Sequence, residues 1–138
     1  MAKADKLTLH MRKMKRSLGY ALTGFRHALT HERNIQFFLA GYFVILLLGA
    51  LLRLLLWEWI AILFCGGLFL VAELLNTALE HLADVFDDHR KVQHGPAYLH
   101  ALKNAKDVAA AASLAALLTT IVVVCIVFWP YVELYWPH

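Results

Sequence analysis

Apolar residues run almost unbroken through three stretches of the chain, 35–56, 57–83 and 108–130. About 20 residues of helix cross a hydrocarbon core, so each stretch is long enough to span a bilayer. Inside hydrocarbon every backbone N–H and C=O must be satisfied within the structure itself, which selects helices over open strands. Ahead of these stretches, residues 5–33 follow another rule. Leu7, Met11, Met14, Leu18, Ala21, Leu22, Phe25 and Leu29 recur at helical spacing, while Lys and Arg fill the other side. That pattern predicts an amphipathic helix lying in the headgroup layer, with a basic face suited to anionic lipid. The predicted fold is an all-α membrane protein: one domain over 1–138, with three transmembrane helices behind an N-terminal amphipathic surface helix.

Composition agrees with this reading and narrows it. Of 138 residues 61% are hydrophobic and only 17% charged, with a mean hydropathy of +0.60. A soluble domain of this size needs a more polar exterior. The net charge of +3 does not mark a nucleic-acid binder, because the basic residues are placed as a topology signal. Lys3, Lys6, Arg12, Lys13, Lys15, Arg16, Arg26 and Arg33 precede the first span. Arg90, Lys91, Lys103 and Lys106 lie between the second and third, and Arg53 alone sits in the first turn, so twelve of thirteen share a side. The positive-inside rule then puts the N-terminus and the 84–107 segment in the cytoplasm. Trp57 and Trp59, and Trp129, Tyr131, Tyr135 and Trp136, mark the outer interface. No cleavable signal peptide precedes the first apolar run, so that run is expected to stay in the protein. Cys65 and Cys125 lie in apolar runs and read as small core residues.

The chemistry is carried by polar residues where the membrane should be. Glu73, Asn76 and Glu80 are offset by three and seven, which places them on one helix stripe. Glu73 lies fourteen residues after Trp59. At about 1.5 Å per residue it is about 21 Å inward, in the inner leaflet, with Glu80 at the cytoplasmic interface. A charge at such depth costs roughly 2.5–3.5 kcal/mol, so these groups need a polar neighbour, a cation or a substrate. Glu32, Lys106 and Asp107 are within reach of the same interface. Interfacial carboxylates can hold Mg²⁺, Lys106 can neutralise phosphate, and a deeper carboxylate can take a proton from a lipid hydroxyl. Two other readings use the same residues: a polar network that only locks helices, and a small oligomeric channel for ions or protons. Confinement of the acids to one half of a single span weighs against a conduction path. No P-loop, glycine-rich kinase loop or H-R-D and D-F-G pair occurs, so an ATP site must be built from the helices.

Histidines add little. His89, His94 and His100 fall in an expected loop from Asp87 to Leu102, with Gly95-Pro96 as a turn, and their spacing matches no metal pattern. His27 and His31 are four apart on one face without a third ligand nearby in sequence.

The segment Ala72-Glu73-Leu74-Leu75-Asn76-Thr77-Ala78-Leu79-Glu80-His81-Leu82-Ala83-Asp84 resembles the E-x-x-N-[ST]-A-x-E-x-x-x-D pattern of prokaryotic diacylglycerol kinases. Ala105-Lys106-Asp107-Val108-Ala109-Ala110-Ala111 is similar to that family's A-K-D-x-x-[AG]-[AS] segment. Gly19-Tyr20, Gly24-Phe25-Arg26 and Glu32-Arg33-Asn34 resemble its surface helix. The resemblance implies an ATP-dependent lipid kinase of the bacterial inner membrane, a homotrimer with active sites shared between subunits on the cytoplasmic side. By position it implies Glu73 as catalytic base with Asn76 beside it, and Glu32 and Glu80 as Mg²⁺ ligands. Lys106, Asp107, Tyr20, Arg12 and Lys13 would contact ATP. The implied substrate is a membrane lipid alcohol, diacylglycerol or undecaprenol; Glu32-Arg33-Asn34 and Lys106 to Ala110 look more like the undecaprenol branch. Two features depart from the pattern: Ala83 replaces a larger aliphatic residue, and the segment from Asp87 to Leu102 is longer than is common.

Overall fold

In the computed structural model the backbone is described for residues 2–90 and 96–135, and the side chains for 6–86 and 100–134. Four helices account for nearly all of it: α1 (Ala2–His31), α2 (Arg33–Leu52), α3 (Leu56–Arg90) and α4 (Pro96–Tyr135). No strand occurs among the described residues. Three helices are long and apolar enough to cross a membrane, over Arg33–Leu52, Leu56–Phe86 and His100–Leu134. Only 11%, 33% and 17% of their most apolar windows are buried within the chain. Apolar surface left bare on that scale makes this a multi-pass membrane protein, because water cannot solvate it cheaply.

The joints are short. Glu32 alone leaves helical geometry between α1 and α2, at φ −95° and ψ 108°. Its N–H still bonds to the Ala28 carbonyl at 2.9 Å, and its own carbonyl accepts from Gln36 N at 3.2 Å. Its carboxylate makes no capping bond, which leaves that group for other partners. At the other end α2 stops at Arg53, in the left-handed region at φ 56°. Leu54 N bonds to Gly49 O at 3.1 Å and Arg53 N to Ala50 O at 3.3 Å, the paired bonds of a Schellman cap. Glycine usually takes the left-handed position. Here it sits at Gly49, where an added Cβ would meet Leu54 Cδ1 at 2.8 Å.

α3 then starts with a cap of its own. The Glu58 carboxylate reaches back three residues and accepts from Leu55 N at 2.7 Å, as the acidic partner of a capping box does. The same Oε2 accepts from Tyr131 on α4 at 2.7 Å. Around it Leu54, Ile62 and Val127 form a small core, joined by Trp59, Ile45, Val123 and Phe128.

α3 packs chiefly along α4, and α2 lies more lightly against α3, most closely where Tyr42 meets Gly66. The Tyr42 ring covers Gly66, and its hydroxyl donates to Ile62 O at 3.0 Å. A Cβ on Gly66 would fall 2.4 Å from the ring, whereas Gly67 faces open space. Gly66→Ala is therefore expected to lower the unfolding midpoint in detergent, at about 1–3 kcal/mol, while Gly67→Ala does not. Equal midpoints for the two variants would refute this packing.

The expected loop from Asp87 to Leu102 is largely helical. α3 continues to Arg90 and α4 begins at Pro96, with only 91–95 outside the described residues. Hydropathy marks where a helix meets lipid; its hydrogen bonds can continue into water, and Pro at a first helical position loses no bond.

Candidate functional site

Between α2, α3 and α4 lies a cavity of about 520 Å³. Its polar end is formed by Glu73, Asn76 and Glu80 of α3, with Asn34 of α2 and Ser113 of α4. Phe37, Phe38, Phe69, Leu114 and Leu117 line the rest. The Phe38 and Phe69 rings sit 4.1 Å apart, which gives the apolar end an aromatic wall. Polar groups at one end and hydrocarbon at the other suit an amphiphile with a single polar head.

The polar end is wired by two hydrogen bonds among four side chains. Glu73, at 4% exposure, receives the Ser113 hydroxyl at its Oε2. Asn76, at 6% exposure, donates Nδ2 to Glu80 Oε1 at 3.1 Å. That bond fixes the amide orientation, because a carboxylate accepts only from the NH₂ side. Asn76 Oδ1 is then turned away and, among the described residues, has no hydrogen-bond partner although it is buried. An unpaired buried carbonyl costs about 1–3 kcal/mol, so it marks a place for a donor or a cation.

Other sequence-predicted residues lie around this centre. Glu32, at the α1–α2 break, has His81 Nε2 3.6 Å from its Oε1, which brings its carboxylate beside the residue following Glu80. Lys106 pairs with Asp84 at 2.8 Å, linking α4 to the last acid of the α3 motif. With Asp84 67% exposed, solvent screens this pair strongly, so it orients Lys106 more than it stabilises the fold. Asp107 is exposed one residue further on. Arg12, Lys13 and Tyr20 are exposed on α1. None of these three lines the cavity.

His27 stacks on His31 at 4.3 Å and meets His81 edge-on at 5.6 Å. No group of three His, Cys, Asp or Glu is placed to hold a metal among the described residues. The His89 side chain and all of His94 lie outside the described residues, and His100 is exposed.

Ser113 and His81 were not singled out by sequence reasoning as site residues. A signal for Ser113 exists: it lies seven residues after Lys106, two turns along the same face of α4.

A family model described as prokaryotic diacylglycerol kinase matches residues 19–128. An undecaprenol kinase of Bacillus subtilis (strain 168) is 35% identical over 116 residues, covering 83% of this chain and 87% of that protein. No solved structure matches the chain.

Proposed function

The chain belongs to the prokaryotic diacylglycerol kinase family, and we propose on that premise that it phosphorylates undecaprenol with ATP. Family membership supports a lipid kinase acting with ATP, and the Bacillus relative supports a polyisoprenol as the lipid. The observation that carries the reading is the acid–amide–acid stripe opening on an amphiphilic cavity. The Phe37, Phe38 and Phe69 end suits an unsaturated hydrocarbon chain, and the Glu73 end suits its terminal hydroxyl.

The reaction balances simply. The hydroxyl proton passes to the Glu73 carboxylate as the lipid oxygen attacks the γ-phosphorus. The bond from that phosphorus to the β–γ bridging oxygen breaks, and ADP leaves with the electron pair. Glu73 then returns the proton to water, giving undecaprenyl phosphate, ADP and H⁺. Catalysis of this kind rests on positioning and charge stabilisation more than on covalent chemistry.

Glu80 and Glu32 would hold Mg²⁺ in this reading, and Asn76 would position Glu80. Mg²⁺ takes one or two carboxylates and fills its shell with water and phosphate, so it needs no cluster of three protein acids. The unpaired Asn76 Oδ1 beside Glu80 fits a hard cation or a donor at this spot. When bound, Mg²⁺ supplies charge neutralisation on the phosphates. Lys106 and Asp107 contact ATP at the end of the bundle beyond Glu80. Arg12, Lys13 and Tyr20 reach it from α1, the amphipathic helix resting on the cytoplasmic leaflet. Assembly as a homotrimer in the bacterial inner membrane covers part of the bare apolar surface. The channel alternative receives no support from the family.

Purified protein in detergent with γ-labelled ATP, Mg²⁺ and either undecaprenol or diacylglycerol tests the reading. Label is expected in undecaprenyl phosphate. Label confined to phosphatidic acid would overturn the substrate, and label in neither lipid would overturn the kinase.

A further inference from the structure

We infer that Ser113 is a positioning residue for the base: its hydroxyl fixes the Glu73 carboxylate and leaves Oε1 for the lipid hydroxyl. This rests on the reading of Glu73 as base. Serine and threonine in helices often turn back to the carbonyl four residues earlier, as Thr119 and Thr120 do here with Ala115 and Ala116. Ser113 does not. Its Oγ crosses from α4 to α3 and donates to Glu73 Oε2, a contact between residues forty apart in sequence.

Both residues are 4% exposed and both line the cavity. Among the described residues Glu73 has no other donor, so one oxygen is committed and the other is left uncommitted on a residue that lines the cavity. A glutamate has three side-chain torsions, and an unrestrained carboxylate would sweep through many orientations. The single bond from α4 removes most of that freedom, and it turns the free oxygen toward the substrate. Because the bond joins the helix bearing Glu73 to the helix bearing Lys106, it also sets the base relative to the phosphate-binding end.

Ser113 touches the base and not the transferred phosphate or the nucleotide, so its loss should act on turnover and not on binding. Thr and Val have nearly the same shape and differ by one hydroxyl, which separates the hydrogen bond from packing. Measured on the full chain in lipid–detergent micelles, Ser113→Ala and Ser113→Val should each lower kcat about tenfold, the size of one charged hydrogen bond. The KM values for ATP and lipid should stay within about twofold, and Ser113→Thr should restore most of the rate. Equal rates for the Thr and Val variants, or a wild-type kcat for Ser113→Ala, would overturn the inference. Glu73→Gln assayed alongside keeps the two readings apart. If it is inactive while Ser113→Ala is fully active, only Ser113 fails; if it is active, the base assignment itself fails.

Discussion

Glu73→Gln is expected to lower kcat for lipid phosphorylation by about 10²–10⁴-fold while leaving the fold intact. Glutamine has the same length and keeps a carbonyl oxygen that can accept from Ser113, so the α3–α4 contact survives. What it loses is the capacity to take a proton. Stability should hold or rise, because a neutral amide is cheaper than a carboxylate among apolar helices. Glu73→Asp is the harder variant: it keeps the charge but withdraws the carboxylate by one methylene, away from both Ser113 and the open side of the cavity. A misplacement near 1 Å can cost about 10²-fold, so Asp should fall between wild type and Gln. Rates at saturating ATP and lipid, with oligomer size and unfolding midpoint measured on the same samples, decide the matter. Turnover of the Gln variant at the wild-type rate would remove Glu73 from the mechanism.

Much of this architecture was legible because hydrocarbon imposes so few choices. Nearly unbroken apolar runs over 35–56, 57–83 and 108–130 had to be helices, and the all-helical fold with three apolar spans follows. Helix ends were less legible. Asp87, Asp88 and Arg90 read as loop because they are polar, yet a helix in water can carry them, and α3 runs through them. The stripe of Glu73, Asn76 and Glu80 was visible because offsets of three and seven define a face without any tertiary knowledge. Its consequences were not. That Asn76 would spend its NH₂ on Glu80 and strand its carbonyl depends on rotamers, and that Ser113 would reach Glu73 depends on how α4 is rotated against α3. In sequence Ser113 is one more small residue in an alanine-rich run. Arg12, Lys13 and Tyr20 illustrate the opposite limit: spacing gives their face of α1, but not what that face meets.

Glu58 is the clearest case of a residue whose importance only tertiary structure reveals, and its loss is expected to destabilise the joint of two helices at once. In sequence it is one acid at the start of an apolar run. In the fold it is 4% exposed, and one oxygen receives both Leu55 N–H and the hydroxyl of Tyr131, seventy-three residues away. Glu58→Ala leaves the Leu55 N–H without its acceptor beside the Leu54, Ile62 and Val127 core, at about 1–3 kcal/mol, and unties the Tyr131 hydroxyl from α3, so a clear drop of the unfolding midpoint in detergent is expected. Glu58→Gln keeps an acceptor oxygen and should lose less than half as much. Turnover per folded molecule should change little in either variant. Fifteen residues of helix separate Glu58 from Glu73, about 22 Å at a rise of 1.5 Å per residue. Glu58 and Glu73 thus stand apart on α3: the first ties its start to the end of α4, and the second faces the cavity about midway along the helix. A Glu58→Ala protein with an unchanged unfolding midpoint would contradict the tie, and one with intact stability but lost turnover would contradict the separation.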